Sequence, residues 1–537
     1  MADVLHSRST SALAGSLILI AALAGCSDDG SDFDVSQQIG PDPVLPEPEP
    51  SLVAHMKVAE VVGWKQGEAP SVPDGLSITA YAKDLVNPRA LHTLPNGDVL
   101  VVQARGPAGE PLSRPKDVIR GWIMSFAHGD TGGEKKTSNL ITLLRDSNRD
   151  GTVDERHDLL TDLNSPFGVA WYDDTLYVAA TDAILAYPYR LGEATAISSA
   201  PTVLTPLPGG PINHHWTKDL ALGPDARFLY ASVGSNSNVA ENGIEAEKGR
   251  AAVWQIDRET GASRVYASGL RNPNGLTFEP RTKQLWTVVN ERDELGPNLV
   301  PDYMTSVQDG AFYGWPWSYY GNHVDERVHP RRPDMVERAI APDYALSSHV
   351  APLGMTFSLN SALPEQYRNG AFVGEHGSWN RTFFNGYKVV FIPFEDGKPA
   401  GKAQDVVTGF VEGDQAHGRP VGLGIDGTGA LLIADDAGNT VWRVAAADGS
   451  TTPEPVGTDE VTVDAAGITD RNAAASQTTG AVAPGQSKAG GPAANPSDKR
   501  PTGQEASSGS SGPPHPPQMN VAPAALPPAL ETGSVKE

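Results

Sequence analysis

A pattern that recurs along the middle of the chain constrains its fold more than any other feature. In each copy, a turn containing Pro, Asp, Asn or Gly precedes a short apolar run with strand propensity. The apolar runs are residues 99–102, 176–179, 228–231, 285–288, 371–373 and 431–434. Repeats of this kind, spaced by roughly 50 to 90 residues, predict an all-β fold, a six-bladed β-propeller. A series of hairpins in a sandwich is the alternative, which a body of about 400 residues disfavours.

The N-terminus has the pattern of an export signal. Residues 1–25 contain a positive charge at Arg8 and then a mostly apolar stretch that is short for a membrane span. Cys26, the single cysteine, follows the tripeptide LAG, as in a bacterial lipobox. We expect cleavage before Cys26 and lipidation of its thiol, which would anchor the protein on the periplasmic side of the outer membrane in a Gram-negative cell. A simple secretory signal with an incidental cysteine is the alternative.

Two segments of biased composition flank the predicted body. Residues 26–51 are acidic and rich in proline, which predicts an extended tether because few side chains can be buried. Residues 448–537 are rich in Gly, Pro, Ala and Ser, which predicts a disordered tail. The folded body is therefore expected at residues 52–447, a size typical of one propeller.

The composition excludes several classes of protein. Asp and Glu outnumber Lys and Arg by 65 to 41, and a net charge of -24 argues against nucleic acid as a partner. A single cysteine excludes internal disulfides, thiolate metal clusters and covalent attachment of a c-type haem. The one match to G-x-G-x-x-G, residues 422–427, leads into a turn and a strand, so a nicotinamide-binding fold is not expected.

Four polar segments lie near the predicted strands, where propeller loops carry function. They are residues 213–220, 269–276, 290–296 with 309–316, and 417–422. In this order they resemble the soluble PQQ-dependent aldose dehydrogenases, and most closely the L-sorbosone dehydrogenase branch of the glucose/sorbosone dehydrogenase family. The motifs R-N-P-x-G and Y-G-W-P are specific in combination. The resemblance covers roughly residues 71–444 and also implies a six-bladed β-propeller.

The resemblance implies an oxidoreductase that transfers hydride from an aldose or aldehyde sugar to pyrroloquinoline quinone (PQQ), with Ca²⁺ as a second cofactor. A histidine ahead of the third repeat would take the proton of the substrate hydroxyl, a role that suits imidazole because its pKa lies near neutrality. The distance to the turn favours His215, and His214 is the alternative. Reduced PQQ would pass its electrons to an external acceptor, a cytochrome or a membrane quinone.

Several residues match the family's cofactor contacts. Arg271 and Asn272 would contact PQQ, and the Arg271 guanidinium would stabilise negative charge on the quinone oxygen. Arg419 would pair with a PQQ carboxylate. The family supplies a further cation near residues 374–381, where no lysine aligns here. The substitutes and additional candidates are Arg381, Trp379, which could stack on the ring system, and Asn164.

Two calcium sites are predicted. The resemblance implies Ca²⁺ at the backbone carbonyls of Asp293 and Glu294, although the family's Gly-Pro pair is absent there. Gly296 and Pro297 are the alternative pair, and a solvated acidic loop is the other interpretation. Independently, residues 146–154 match D-x-N-x-D-G-x-x-D, which predicts a structural Ca²⁺, with an ordinary Asp/Asn turn as the alternative. Its ligands would be Asp146, Asn148, Asp150, Thr152 and Asp154.

Two other functions remain open at this point. A calcium-dependent lactonase would use a metal held by side-chain carboxylates in the channel and would need no PQQ. A propeller that has lost PQQ would bind sugar or protein without catalysis, because fold alone does not determine function. The register of His215, Arg271 and Arg419 with the family favours the dehydrogenase.

Overall fold

The computed structural model describes residues 33–50, 56–107, 138–192, 195–359 and 361–452. The predicted signal segment 1–25 and Cys26 lie outside the described residues, as does most of the predicted tail 448–537. In the described ranges, no helix has the length and apolar character needed to cross a membrane.

Short strands make up most of the regular structure. The first are β1 (Ile39–Gly40), β2 (Glu60–Val61), β3 (Leu76–Ala82), β4 (Pro88–Thr93), β5 (Val99–Gln103), β6 (Leu140–Arg145), β7 (Glu155–Leu160), β8 (Val169–Tyr172), β9 (Thr175–Ala179) and β10 (Ala183–Pro188). The next are β11 (Thr202–Pro206), β12 (Leu220–Leu222), β13 (Phe228–Val233), β14 (Ala252–Asp257), β15 (Ser263–Ser268), β16 (Pro273–Phe278), β17 (Leu285–Val289), β18 (Pro301–Ser306), β19 (Ser318–Tyr319), β20 (His323–Val324) and β21 (Tyr344–Ser348).

The remaining strands are β22 (Pro352–Phe357), β23 (Gly370–Glu375), β24 (Lys388–Glu395), β25 (Lys398–Pro399), β26 (Gln404–Val407), β27 (Val411–Glu412), β28 (Gln415–Ala416), β29 (Pro420–Ile425), β30 (Leu431–Asp435) and β31 (Thr440–Ala446). Among the described residues, the helical elements are one α-helix, α1 (Pro333–Arg338), and 3-10 turns at Val35–Gln38, Ile244–Glu247 and Glu365–Tyr367. The prediction of an all-β fold is confirmed.

Six antiparallel sheets of at least four strands form the framework of the described residues. They are β4–β7, β8–β11, β12–β15, β16–β17–β18–β21, β22–β23–β24 with β26, and β29–β30–β31–β3. Each of the six apolar runs in the sequence lies in the second strand of one sheet: β5, β9, β13, β17, β23 and β30. Second strands have a neighbour on both edges and are almost entirely buried, so they are continuously apolar rather than alternating.

The sixth sheet combines both ends of the described body, because β3 pairs antiparallel with β31 from Leu76 opposite Ala446 onward. The first strands of the sheets contact one another in the order β4, β8, β12, β16, β22, β29, and β29 contacts β4 again. Glycines permit this approach: a Cβ on Gly354 would lie 2.0 Å from the Val421 carbonyl oxygen, and one on Gly422 would lie 2.6 Å from that of Arg89.

Part of the predicted tether lies on the fourth sheet. In the described residues 33–50, β1 pairs with β21, and the Gln38 side chain is fully buried. Ile39 and Leu45 pack against two of the apolar clusters. The prediction of an extended segment depends on the small number of apolar residues in it. A few buried side chains are nevertheless enough to hold residues 33–50 against the fourth sheet.

The pairing that closes the sixth sheet generates a stability prediction. Leu76 lies on β3, is 7% exposed, and belongs to the apolar cluster between the fifth and sixth sheets. Leu76→Ala should lower the free energy of unfolding by about 2–5 kcal/mol, because it leaves a cavity in this cluster. Val265→Ala, at a 42% exposed position on β15, is the control and should change it by less than about 0.5 kcal/mol. Urea unfolding measures both, and equal effects would contradict the role given to Leu76.

Candidate functional site

The loops that lead into the first strands bring polar residues to one end of the sheets. His215 precedes β12, Arg271 and Asn272 precede β16, and His349 precedes β22. They line a cavity of about 320 Å³, which brings together six of the predicted residues. These are His214, His215, Arg271, Asn272, Asp293 and Trp379. Asn290, Glu291, Asp302, His349, Ala351 and Asn380 complete the lining.

His215 is held in one tautomer by Ser235. Its Nδ1 lies 3.0 Å from the Ser235 carbonyl oxygen and 2.9 Å from Ser235 Oγ. Ser235 Oγ donates its own hydrogen to the Ser237 carbonyl at 2.7 Å, so both Ser235 oxygens act as acceptors towards His215. The proton therefore sits on Nδ1, and Nε2 carries the lone pair. An imidazole arranged in this way can accept a proton at Nε2.

The surroundings of His215 favour its neutral form. Burial lowers the pKa of His215 well below its ordinary value of 6.5, and the positive charge of Arg271 lowers it further. The ring of His214 packs edge-on against it, with the centroids 4.7 Å apart. A Cβ on Gly234 would lie 2.4 Å from the His215 Cβ, so only glycine fits behind the ring. His215 is thus present as an unprotonated base at neutral pH.

Arg271 is fixed almost entirely by protein atoms. Its Nε donates to the Asn238 carbonyl at 3.1 Å, and its Nη1 donates to the Glu291 carbonyl at 2.8 Å. Its Nη2 lies 3.5 Å from a carboxylate oxygen of Asp293. Burial lowers the pKa of this guanidinium, and the Asp293 carboxylate opposes that effect. The result is a rigid cation in the cavity wall, only 3% exposed.

His349 and Asn380 are cavity residues that the sequence analysis did not identify. The Gly296 carbonyl can only accept, so His349 Nε2 donates to it across 3.3 Å. Its Nδ1 then accepts from Asn380 Nδ2 at 3.0 Å, and the same amide donates to Asp293 Oδ1 at 2.5 Å. Burial lowers the pKa of His349, which agrees with a neutral ring. Both nitrogens of His349 are used inside the protein, which distinguishes it from His215.

Asp302 connects two loops of the cavity wall. Its carboxyl accepts from the backbone N–H of Glu291 at 2.7 Å and from that of Ala351 at 2.8 Å. Burial raises the pKa of Asp302 to about 8. The side chain therefore joins the loop after β17 to the loop before β22, and both loops carry cavity residues.

Three of the predicted cofactor contacts do not line this cavity. Arg419 lies before β29, and its Nη2 is 3.4 Å from the Tyr387 hydroxyl. Arg381 is fully buried and donates to the Ser348 carbonyl at 3.1 Å and to Asn298 Oδ1 at 2.7 Å. Burial lowers the pKa of Arg381 to about 10. Asn164 lines a second cavity of about 590 Å³ beside β10 and β11.

A charged group that sequence reasoning missed lies near Arg419. His376 Nε2 is 3.0 Å from Asp436 Oδ1, and Arg89 forms an ion pair with the same carboxylate. The positive charge of Arg419 contributes to lowering the pKa of His376, after the larger effect of burial. Arg89 lies inside the first strand β4, whereas Arg419 lies just before the first strand β29.

Two of the predicted carbonyl ligands of Ca²⁺, those of Asp293 and Gly296, accept hydrogen bonds from protein donors. The Asp293 carbonyl accepts from Arg327 Nη1 at 2.9 Å and from Asn238 Nδ2 at 3.2 Å, so a guanidinium already lies against it. The alternative carbonyl, that of Gly296, accepts from His349. Within the residues that the structure describes, no group of three or more His, Cys, Asp or Glu is placed to hold a metal ion.

The predicted calcium loop, residues 146–154, connects β6 and β7. Asp146 accepts from the backbone N–H of Asp150 and of Gly151, and Asp154 accepts from the N–H and hydroxyl of Ser147. Asn148 Oδ1 also accepts from the Asp150 N–H, and the N–H of Thr152 donates to Asp150 Oδ1. These bonds order the turn, and the structural Ca²⁺ expected in it stays a prediction.

Comparison with known proteins relates parts of the chain to sugar dehydrogenases. Residues 178–379 match the glucose/sorbosone dehydrogenase family, and residues 333–447 match a family described as TrAA12-like. A PQQ-dependent pyranose dehydrogenase of Coprinopsis cinerea is 25% identical over 223 residues, which cover 34% of this chain and 30% of that enzyme. An uncharacterized protein of Borreliella burgdorferi is 28% identical over 292 residues, covering 52% of this chain and 76% of that protein.

A solved structure shares the fold. The holo form of the PQQ domain of the Coprinopsis cinerea pyranose dehydrogenase superposes with a TM-score of 0.56. It is 19% identical and covers 72% of this chain and 100% of the domain. At this identity the likeness concerns the fold, and it agrees with the all-β architecture described above.

The neutral state of His215 generates a pH prediction. As pH falls through 6.5, the unfolded chain binds a proton at this residue while the folded protein does not, so stability decreases towards acid pH. His215→Asn should remove this contribution and flatten the slope by up to about 1.4 kcal/mol per pH unit. Urea unfolding at several pH values between 7.5 and 5.5 measures the slopes. Parallel curves for wild type and variant would contradict the assignment.

Proposed function

The match of residues 178–379 is to the glucose/sorbosone dehydrogenase family, and from this premise we propose that the protein is a PQQ-dependent sugar dehydrogenase. One observation carries the proposal: His215, a neutral imidazole with its proton on Nδ1, lines the same cavity as the buried cation Arg271. Oxidation of a sugar hydroxyl requires a proton acceptor beside a group that stabilises developing negative charge, and this pair supplies both.

The six sheets are, in this proposal, the six blades of one closed propeller. Support comes from the circular order of contacts between the first strands, in which β29 returns to β4. Further support comes from the sixth sheet, where β3 joins β31 and pairs the two ends of the body. A closed ring places the loops before all six first strands around one axis, where a single flat cofactor can contact several of them.

The residues present fit PQQ, a planar molecule with three carboxylates. Asn272 Oδ1 is buried at the cavity without a hydrogen-bond partner. Arg419 Nε, which lies outside the cavity lining, is also buried without one. Asn272 and Trp379 line the cavity, so they would hold the ring system, while Arg419 would meet a carboxylate. When bound, PQQ supplies a quinone that accepts two electrons from the substrate. The Asp293 carbonyl is not available for Ca²⁺ in this arrangement because Arg327 Nη1 donates to it, and Ca²⁺ at this loop stays a prediction.

The other roles in the reaction belong to residues of this chain. His215 Nε2 accepts the proton of the substrate hydroxyl, and Ser235 holds the ring so that this nitrogen stays unprotonated. Arg271 would present a fixed positive charge to the quinone oxygen, on which negative charge develops. The guanidinium would not have to move, because its bonds to the protein are already made. Asp302 and Asn380 hold in place the loops that carry Glu291, Asp293 and Ala351.

The finer features of the proposal rest on the sequence. The substrate is an aldose or an aldehyde sugar of the sorbosone type, and the electrons pass to a separate cytochrome or quinone. Export and lipidation at Cys26 would keep the enzyme close to a membrane-bound acceptor. A structural Ca²⁺ in the loop 146–154 stays a prediction, supported by its alternating oxygen side chains.

The decisive experiment is a PQQ titration of the purified protein, followed by dye-linked oxidation of a panel of aldoses. We expect stoichiometric binding and sugar-dependent reduction of the dye. His215→Ala should lower kcat by about 10²- to 10⁴-fold, because a general base is lost, while the Kd for PQQ changes little. His323→Ala, at an exposed histidine on β20, is the matched control and should keep full activity. Absence of PQQ binding at micromolar cofactor would overturn the proposal.

Lipidation has its own test. Wild type expressed in a Gram-negative host should fractionate with the outer membrane and incorporate labelled palmitate, because the lipobox directs acylation of Cys26. Cys26→Ala should lose the label. Ser27→Ala, one residue further on, is the control and should keep it. Equal labelling of wild type and Cys26→Ala would contradict the assignment of Cys26.

A further inference from the structure

The segment before the propeller body contacts the wall of the cavity. We call residues 34–49 the strap. It begins at the 3-10 turn Val35–Gln38, capped by the Asp34 side chain, and continues through β1 on the edge of the fourth sheet. Near its end, the Glu49 N–H donates to the Leu295 carbonyl at 2.9 Å. The strap therefore touches the loop after β17, which carries Asp293.

Gln38 makes the central contact of the strap. Its side chain is fully buried, and its Nε2 donates to the Asn298 carbonyl. Its Oε1 accepts from Ser348 Oγ at 2.9 Å and from the Ser348 N–H at 3.3 Å. One amide thus joins the 293–298 loop to the end of β21. Arg381 joins the same two residues from the other side, through Asn298 Oδ1 and the Ser348 carbonyl.

The two segments joined by Gln38 lead directly to cavity residues. His349 follows Ser348, and its Nε2 donates to the Gly296 carbonyl, two residues before Asn298. Through Asn380, the same histidine is connected to Asp293. Without Gln38, the Asn298 carbonyl would be left without this donor in a buried position, and the loop would have to shift to satisfy it. We propose that Gln38 is a positioning residue of the cofactor site, acting through Asn298, Ser348 and His349.

The expected effect of Gln38 on PQQ binding rests on the proposed function. The expected effect of Gln38 on the order of the cavity wall does not. It assigns to the strap a role in the geometry of the site in addition to any role as a connection to the N-terminus. The chain also offers a matched pair of adjacent glutamines, because Gln37 is exposed while Gln38 is buried.

The test compares Gln38→Met with Gln37→Met in the full-length protein. Methionine keeps the length of the side chain and removes its hydrogen bonds, so Gln38→Met should fold while the cavity wall loosens. We expect the Kd for PQQ, measured by calorimetry, to rise about tenfold in Gln38→Met and to stay unchanged in Gln37→Met. Hydrogen exchange of peptides covering residues 295–300 and 346–350 should accelerate in Gln38→Met alone.

The outcomes separate the two proposals. Wild type that binds no PQQ would overturn the proposed function, while the exchange data would still decide whether Gln38 orders the wall. Wild type that binds PQQ, with Gln38→Met equal to it in both affinity and hydrogen exchange, would overturn the role of Gln38 alone. Gln38→Met that is less stable but binds PQQ with unchanged affinity would show a purely structural contact and would also overturn the inference.

Discussion

The close approach of the first strands is the constraint on which the rest of the structure depends. Gly354 and Gly422 lie where a Cβ would collide with the backbone of the neighbouring sheet, so the sheets can meet only through glycine. Because the first strands meet, the loops that precede them converge. His215, Arg271 and His349 belong to three sheets and are distant in sequence, yet they line one cavity for this reason.

The sequence predicted the framework well because the second strands carry a strong local signal. They are buried on both faces, so each appears as an apolar run after a turn, and all six runs were placed in the correct strands. The first strands are less apolar, with glycine and proline among their residues, and periodicity does not reveal them. This is why His349, which lies three residues before β22, was overlooked.

Contacts between distant segments were the part that the sequence could not supply. The acidic composition of residues 26–51 gave no indication that Gln38 would be buried against Ser348, because one amide does not change a composition. Similarly, Arg381 was chosen as a cation near the cofactor, whereas its guanidinium bonds to Asn298 and Ser348 within the protein. Both cases depend on tertiary partners more than 30 residues away, and only the fold brings these partners together.

Two histidines that line one cavity show how hydrogen bonds assign chemistry. Both are neutral, since burial lowers both pKa values. His349 has a carbonyl on one nitrogen and an amide N–H on the other, so it has no lone pair to offer and serves as a structural link. His215 meets two acceptors at the same nitrogen, Nδ1, which leaves the lone pair on Nε2. Burial alone would make the two residues equivalent. The difference comes from Ser235, whose hydroxyl donates to Ser237 and therefore cannot donate to His215.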